Sequence, residues 1–368
     1  MMNKMITANL VHRPIRSLIS VSAIALEVTM ILLIVALFYG LLNGSKESQV
    51  GVGADVMVQP PSSSGLIGVT GSPIPIKVGD ILRKLPHIVV AAPVIWELTT
   101  TPSVEIIDGV DLATYDAITP AFRYLSGGPF QGAYDVIVDD YVAGMKRLKI
   151  GDSIEILNHQ FRVCGIVAHG KGARKFLPLA TMQDLIGAEN RASVFYVKLD
   201  DPRNVDAVVQ EIKQVPGMEN YAVRSMQEYL SMMTPDNLPG FETAIHVVIG
   251  VAVTIGFLVI FQSMYTAVTE RTREIGILKS LGASKFYIVD AVLRETALLA
   301  VIGVIAGIII SMITRRVIVF EKPVLRLFWS NEWVLRATVI AIVGALAGAL
   351  YPAFKAAQKD PIDALAYE

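Results

Sequence analysis

The side chains that could carry out catalysis or hold a metal are scattered along this chain of 368 residues. Its histidines, at positions 12, 87, 159, 169 and 246, include no pair at metal-ligand spacing. Adjacent carboxylates such as Asp139-Asp140 fall in predicted turns, where solvation is favoured over acid–base work. There is no Gly-x-x-x-x-Gly-Lys-Ser/Thr phosphate loop, no Gly-x-Ser-x-Gly elbow and no His-Glu-x-x-His helix. We therefore expect no catalytic residue, no metal site and no cofactor bound by this chain.

One acidic residue, Glu27, interrupts a long apolar stretch near the N-terminus. Counted from Leu18 at the helical rise per residue, Glu27 lies roughly 14 Å into that stretch. An ionisable group at such a depth in a bilayer costs about 2.5 kcal/mol or more unless it is paired or hydrated. Two interpretations are open. Glu27 has a functional or dimer-interface role, or a tilted or late-starting helix leaves it near the lipid headgroups.

The elements around these residues are mainly apolar, since 53% of the chain is hydrophobic and 18% is charged, against about 25% charged in a soluble domain. Four stretches reach the roughly 20 apolar residues that a bilayer span needs. The resulting segments are a basic arm (1–17), span one (18–42), an inserted domain (43–243), span two (244–268), a connecting segment (269–290), span three (291–313), a short loop (314–333), span four (334–354) and a tail (355–368).

The orientation of the first span follows from the positive-inside rule. Lys4, Arg13 and Arg16 precede it without an acidic residue, which predicts a cytoplasmic N-terminus. Four crossings then return the C-terminus to the cytoplasm and leave the inserted domain and the 314–333 loop outside. The 269–290 and 314–333 loops carry equal numbers of basic residues, so charge alone does not fix orientation beyond the first span.

The inserted domain is predicted to be α+β. Its Pro/Gly/Ser-rich stretch at 60–75 predicts a mobile loop, in which Leu66, Ile67 and Val69 either contact a partner or lipid or are simply disordered. The formal charge of −1 argues against a nucleic-acid-binding face. Strands are predicted at 104–107, 153–157, 161–167 and 194–199, and the middle two are expected to form a hairpin. Helical spacing predicts a helix at 204–215.

Spans three and four carry pairs of glycines at a spacing of four residues, which places both members on one helix face and permits close helix packing. Glycine is also simply common in membrane helices, so a specific packing role is one of two interpretations. The pairs are Gly303 with Gly307 and Gly344 with Gly348.

The connecting segment predicts a helix that leaves the membrane, ends at a glycine and restarts. Ile275, Leu278 and Leu281 form one predicted apolar stripe, Gly282 ends the helix, and Ser284 is the predicted N-cap of a second short helix. Such a segment suits docking to another protein. On physical grounds alone it could equally be a solvated hairpin on the bilayer surface.

Two motifs in these segments are specific. Glu270-Arg-Thr-Arg-Glu-Ile-Gly276, followed by Leu281-Gly-Ala-Ser284, resembles the segment after the second helix of the FtsX-like, MacB-like permeases of ABC transporters. The ending from Tyr351-Pro352-Ala to Asp360-Pro361 resembles the Pro-Ala-x-x-Ala-Ala-x-x-Asp-Pro ending of those permeases. Gly151-Asp152 before the 161–167 strand and the one-plus-three helix layout also match. The resemblance thus covers nearly the whole chain.

The resemblance implies a multi-pass permease of the bacterial inner membrane, a dimer with a second copy or a paralogue, served by a separate ABC ATPase that binds the ATP and Mg. Pro352 would break span four, and Asp360 and Pro361 would fix the tail beside the ATPase. An extracytoplasmic adaptor and membrane lipids are further implied partners. The ATPase-coupling residues implied are Glu270, Arg271, Arg273, Glu274, Gly276, Gly282, Ala283, Ser284, Lys285 and Phe286.

The function then expected is mechanotransmission, in which ATPase movement is relayed to the external domain to export or extract a lipid, lipoprotein, peptide or small toxic molecule. Apart from Glu27, the spans are expected to contain almost no buried charge, which argues against conduction of a hydrophilic substrate. The alternative is a signalling permease that activates a cell-wall hydrolase or sensor without transport. A plain membrane-anchored binding protein would leave both cytoplasmic motifs without a purpose.

Overall fold

The chain folds into two compact units. The helical unit comprises 1–40, 240–321 and 327–368, and the sheet unit comprises 41–239 and 322–326. The computed structural model describes residues 14–61, 73–99, 105–118, 120–237, 240–321 and 325–359.

Helices and strands alternate in the inserted domain and long helices follow it, as the apolar pattern predicts. The helices are α1 (Pro14–Val52), α2 (Lys77–Leu82), α3 (Leu112–Ala117), α4 (Asp140–Lys146), α5 (Leu179–Leu185), α6 (Val205–Gln214), α7 (Met226–Met232), α8 (Phe241–Glu270), α9 (Thr272–Ser280), α10 (Lys285–Glu321) and α11 (Asn331–Gln358). The strands are β1 (Val56–Gln59), β2 (Ile74–Pro75), β3 (Ile88–Thr99), β4 (Glu105–Val110), β5 (Tyr124–Gly127), β6 (Asp135–Asp139), β7 (Ser153–Ile156), β8 (His159–Val167), β9 (Lys175–Pro178), β10 (Arg191–Ala192), β11 (Val194–Leu199) and β12 (Ala222–Ser225).

The helical unit contains α8, α10, α11 and α1 up to Gly40. These are the four described helices that are long and apolar enough to cross a membrane. Each one extends beyond the predicted span, because hydropathy marks only the apolar centre of a helix while its backbone hydrogen bonds continue into the polar ends. α1 continues to Val52. α10 begins at Lys285 and runs on to Glu321, so the predicted short helix after Ser284 is wrong and is instead the first turn of this long one.

The sheet unit is built on a mixed sheet with the order β12-β1-β11-β3-β4-β9-β6-β8-β5, and β7 pairs with β8. β4 pairs with β9 and β6 pairs with β8 in parallel, and the other pairs in this sheet are antiparallel. One apolar core packs α6 against β1 and β11. A second packs α5 against β6, β8 and β9. The predicted combination of four membrane helices with an α+β domain is therefore confirmed.

The predicted hairpin, the strand at 194–199 and the helix at 204–215 are also confirmed. The hairpin turn has two residues rather than three, since Ile156 pairs with His159. Leu157 and Asn158 both have positive φ, the conformation that a tight two-residue hairpin requires. The predicted mobile loop at 60–75 ends in β2, which pairs with β10. Its Leu66, Ile67 and Val69 lie outside the described residues.

Candidate functional site

The turn between α9 and α10 carries two exposed apolar residues, Leu281 and Phe286, within the connecting segment. α9 ends at Ser280. The Gly282 N–H donates to the Lys279 carbonyl oxygen, and the Ala283 N–H donates to that of Leu278, both at 3.0 Å. Gly282 has φ 93°, a conformation that favours glycine at the end of a helix. The Ser284 hydroxyl accepts from the Tyr287 N–H at 3.2 Å and caps α10. The predicted break and restart at Gly282 is therefore present.

One side of this segment is buried and the other is exposed. Ile275 of α9 packs with Val268, Ile288 and Ala356 in a small apolar core. Leu281 and Phe286 remain 80% and 81% exposed, so the predicted stripe of Ile275, Leu278 and Leu281 is wrong at its last member. Leu281 lies beyond the end of α9, where the helical periodicity no longer applies. We define Leu281 and Phe286 as the apolar tip.

The residues implied to contact an ATPase divide by location. Gly276 is buried, and Arg271 and Ala283 are half-buried. The exposed members are Glu270, Arg273, Glu274, Gly282, Ser284, Lys285 and Phe286. The structure thus leaves most of this predicted set accessible to a partner.

Arg271 points inward and takes part in a buried ion-pair cluster. Its Nη1 donates to Glu295 Oε2 of α10 at 3.0 Å, and Arg16 Nη2 of α1 donates to Glu295 Oε1 at 2.9 Å. The three side chains are 12%, 7% and 14% exposed for Arg271, Glu295 and Arg16. A buried carboxylate requires such partners because its desolvation is costly. We call these three residues the Arg–Glu–Arg cluster.

The Arg–Glu–Arg cluster corrects two expectations. Glu295 lies within span three and is buried, so the expectation of almost no buried charge in the spans besides Glu27 is wrong. Arg16, expected only in the basic arm, is a structural partner of α10. The signal available in the sequence was a glutamate near the start of span three, with arginines at the ends of two other spans. The sequence contained no indication that these three residues meet.

The end of α11 is tied to α9 and α8. Lys279 Nζ donates to the Ala357 carbonyl at 3.0 Å and also to that of Lys359, and Lys355 Nζ donates to the Tyr265 hydroxyl at 3.0 Å. The predicted break at Pro352 is wrong, because α11 continues through the buried proline to Gln358. A proline removes one helix hydrogen bond, and packing of the alanines that follow it compensates here. Asp360 and Pro361 lie outside the described residues.

Three of the four predicted packing glycines lie at close helix contacts. A Cβ at Gly303 would come within 2.7 Å of Ile24 Cβ, and one at Gly307 would come within 2.7 Å of the Ala25 carbonyl oxygen. Gly348 packs equally closely on α8, since a Cβ there would come within 2.8 Å of the Phe257 carbonyl oxygen. Gly344 is different, since a Cβ there would make ordinary contacts at 3.8 Å and beyond. Glycine is therefore sterically required on the α1–α10 and α8–α11 contacts but not at 344.

Glu27 lies inside the helical unit. It is 5% exposed, and among the described residues its Oε1 has no hydrogen-bond partner. A Cβ on Gly256 of α8 would overlap its carboxyl group, so the glycine provides the space for it. α1 is already helical at Pro14, about 20 Å before Glu27 along the helix axis. α1 therefore does not begin near Glu27, and the carboxyl group is buried within the helical unit. Its depth in the bilayer and its functional or dimer-interface role stay predictions.

The C-terminal end of α1, from Leu41 onward, belongs to the sheet unit and is held there by side chains and backbone. The Gly172 N–H donates to the Ser48 carbonyl at 2.8 Å, and the Tyr196 hydroxyl donates to Gln49 Oε1 at 2.9 Å. Arg326 forms an ion pair with Glu47. This anchoring was not evident from the sequence.

Buried charge supports the loop at 168–174 that contacts α1. Asp108 of β4 is 2% exposed and accepts from the Ala173 N–H at 3.3 Å. Burial raises the pKa of Asp108 to about 7, although that hydrogen bond opposes the rise. Lys171 Nζ donates to the carbonyls of Ile118 and Pro120, and burial lowers its pKa to about 8. The hydrogen bonds of Asp108 and Lys171 account for the burial of these two side chains, so we assign them a structural role. Within the described ranges, no group of three or more His, Cys, Asp or Glu residues could hold a metal ion.

Comparisons with known proteins agree with this architecture. A model of the MacB-like periplasmic core domain matches residues 17–215, and one of the FtsX-like permease C-terminal region matches 246–361. An uncharacterized ABC transporter permease of Methanocaldococcus jannaschii is 25% identical over 60% of this chain and 58% of its own length. The macrolide export ATP-binding/permease protein MacB of Rhodopirellula baltica is 33% identical over 47% of this chain and 26% of its own.

A third relative is matched over a larger share of both proteins. The putative hemin transport system permease protein HrtB of Staphylococcus haemolyticus is 22% identical over 70% of this chain and 70% of its own length. The matched family models together cover the first helix, the inserted domain and the three following helices, so this chain belongs to the MacB-like, FtsX-like permeases of ABC transporters.

Proposed function

We propose that this permease passes the movement of an ABC ATPase to its sheet unit and thereby exports or extracts a substrate. The ATPase binds ATP and Mg, and a second permease, either a copy or a paralogue, completes the transporter. The apolar tip and both chain termini face the cytoplasm of a cell whose cytoplasmic membrane holds the helices. An extracytoplasmic adaptor is a further partner of the sheet unit.

The observation that carries the proposal is the apolar tip on a firmly held segment. Leu281 and Phe286 are large apolar side chains that are 80% and 81% exposed, and we take this exposure as the mark of a partner-binding surface. Behind them, α9 packs on an apolar core and Arg271 at its start is fixed to Glu295. A force applied at the tip would therefore reach α10 directly, since the segment cannot yield by itself.

α1 supports the relay. It is one continuous helix of 39 residues, about 58 Å long. Near its start, Arg16 is bound to Glu295, and near its end, Ser48 and Gln49 are bound within the sheet unit. In the proposed relay, movement at the Arg–Glu–Arg cluster passes along α1 to its end in the sheet unit.

The names of the relatives favour transport over signalling. One is named for macrolide export and another for hemin transport, and these names differ in the substrate. We therefore propose transport as the function of this chain and name no particular substrate from its relatives.

The docking step is tested with Phe286→Glu. The full chain is expressed with its cognate ATPase, and the co-purified ATP hydrolysis is measured. A buried aromatic residue at an interface contributes about 2 kcal/mol or more to binding, so we expect at least a roughly 30-fold weaker association.

The matched control is Phe320→Glu, which changes an 87% exposed phenylalanine at the other end of the same helix. It should leave the association unchanged. Equal ATPase recovery with both variants would refute docking at the apolar tip.

A further inference from the structure

The outer side of the helical unit has an apolar groove between α8 and α11. Its walls are formed by residues that include Val253, Phe257, Val339, Ile340, Val343 and Gly344. The polar member, Thr254, donates its hydroxyl proton to the Gly250 carbonyl of its own helix at 2.7 Å. The groove surface is therefore suited to an apolar body and provides no free side-chain donor among these described residues.

The carboxyl group of Glu27 lies directly behind one wall of this groove. Gly344 lines the groove, and Glu27 Oε1 is 4.0 Å from the position that a Cβ on Gly344 would occupy. This is the oxygen that has no hydrogen-bond partner in the described part of the chain. Close packing does not require glycine at 344, and because residue 344 has no side chain, only its backbone stands between the groove and this oxygen.

We propose that this groove binds a lipophilic cation, with the apolar body between α8 and α11 and the positive charge beside Glu27. A ligand of this class satisfies both features of the site, since apolar walls bury the body and the carboxylate gains the partner that it lacks. An anion would be repelled by Glu27. A neutral apolar molecule would leave the carboxyl group as it is in the free protein.

This inference rests on the proposed export function only in taking the bound cation as the substrate class. Binding itself requires no ATPase and is measured without one. A failure of binding would therefore be distinguishable from a failure of ATPase docking at the apolar tip.

The experiment uses the full chain in nanodiscs of phosphatidylcholine, with empty nanodiscs subtracted. The probe is radiolabelled tetraphenylphosphonium, and tetraphenylborate is the comparison molecule of the same shape and opposite charge. We expect saturable binding of the cation and none of the anion. Equal binding of the two would overturn the proposal.

Two variants locate the charge. Glu27→Gln keeps the size of the side chain and should weaken cation binding about tenfold or more, as expected for the loss of a charged partner. Gly344→Leu should do the same by filling the space between the carboxyl group and the groove. Glu332→Gln is the control, because Glu332 is exposed on α11 and paired with Arg336. Unchanged binding in both Glu27→Gln and Gly344→Leu would refute the site.

A second copy of this chain is the competing occupant of the groove. Val343→Cys places a thiol on the groove rim, and the natural Cys164 is buried. Efficient disulfide cross-linking between two copies through residue 343, unaffected by the cation, would show that protein covers the groove and would overturn the proposal. Absence of cross-linking together with cation binding supports it.

Discussion

Replacing Glu295 by glutamine tests whether the Arg–Glu–Arg cluster holds three helices together. The substitution preserves the shape of the side chain but removes its charge. Arg16 and Arg271 bond different oxygens of the carboxylate. In glutamine an NH2 group replaces one of these oxygens, and it donates rather than accepts, so one arginine loses its acceptor. The guanidinium group of that arginine is at most 14% exposed in the native structure.

The magnitude follows from that loss. Removing one partner of a fully buried ion pair costs about 3 to 5 kcal/mol, and one charged hydrogen bond contributes about 1.5 to 3 kcal/mol. Arg16 and Arg271 lie near helix ends, where long side chains can extend toward water. We therefore expect Glu295→Gln to lower the free energy of unfolding by about 2 kcal/mol, a value between the cost of breaking an exposed ion pair and that of breaking a fully buried one.

The assay is reversible urea unfolding of the full chain in detergent, with the variant and the native chain compared at one detergent concentration.

The control is Asp290→Asn, on the same helix, where the ion pair with Arg294 is more exposed. That change should be within about 0.5 kcal/mol of zero. A double-mutant cycle with Arg271→Met should give a coupling of more than about 1 kcal/mol. If Glu295→Gln and Asp290→Asn have equal effects, the cluster does not hold the helices and the argument is wrong.

Two further predictions concern packing and pH. Gly307→Val should destabilise the helical unit by about 1 to 3 kcal/mol in the same unfolding assay, because a Cβ at 307 would come within 2.8 Å of Val28 Cβ. The control, Gly344→Ala, should have little effect. Equal effects of the two substitutions would contradict the close α1–α10 contact. Burial raises the pKa of Asp108 to about 7, so the protonated form is favoured by folding, and the stability it contributes is complete below about pH 4 and is lost as the pH rises to about 7. Asp108→Asn should therefore remove up to about 1.4 kcal/mol of pH dependence of the unfolding free energy per pH unit in that window, measured by hydrogen exchange of β4 in the full chain at matched pH. An unchanged slope would contradict the raised pKa of the buried Asp108 carboxyl group.

Local features were predictable from the sequence because their causes are local. A membrane span depends on about 20 consecutive apolar residues, and a hairpin or a glycine-ended helix depends on a few neighbouring side chains. The Ser153–Ile156 and His159–Val167 hairpin and the break at Gly282 were therefore predicted correctly. The predicted break at Pro352 failed because burial of the residues around it outweighs one missing backbone hydrogen bond.

What the sequence by itself determined is the class of the molecule: four apolar helices, an inserted α+β domain and two family motifs. Only the tertiary structure decided which charged side chains meet. Arg16 and Glu295 are 279 residues apart in sequence, and Glu27 lies beside Gly256 and Gly344 of two other helices. The physical reason is that an ionisable group in an apolar helix is costly unless it is paired or hydrated, and the packing of distant helices determines which partner reaches it.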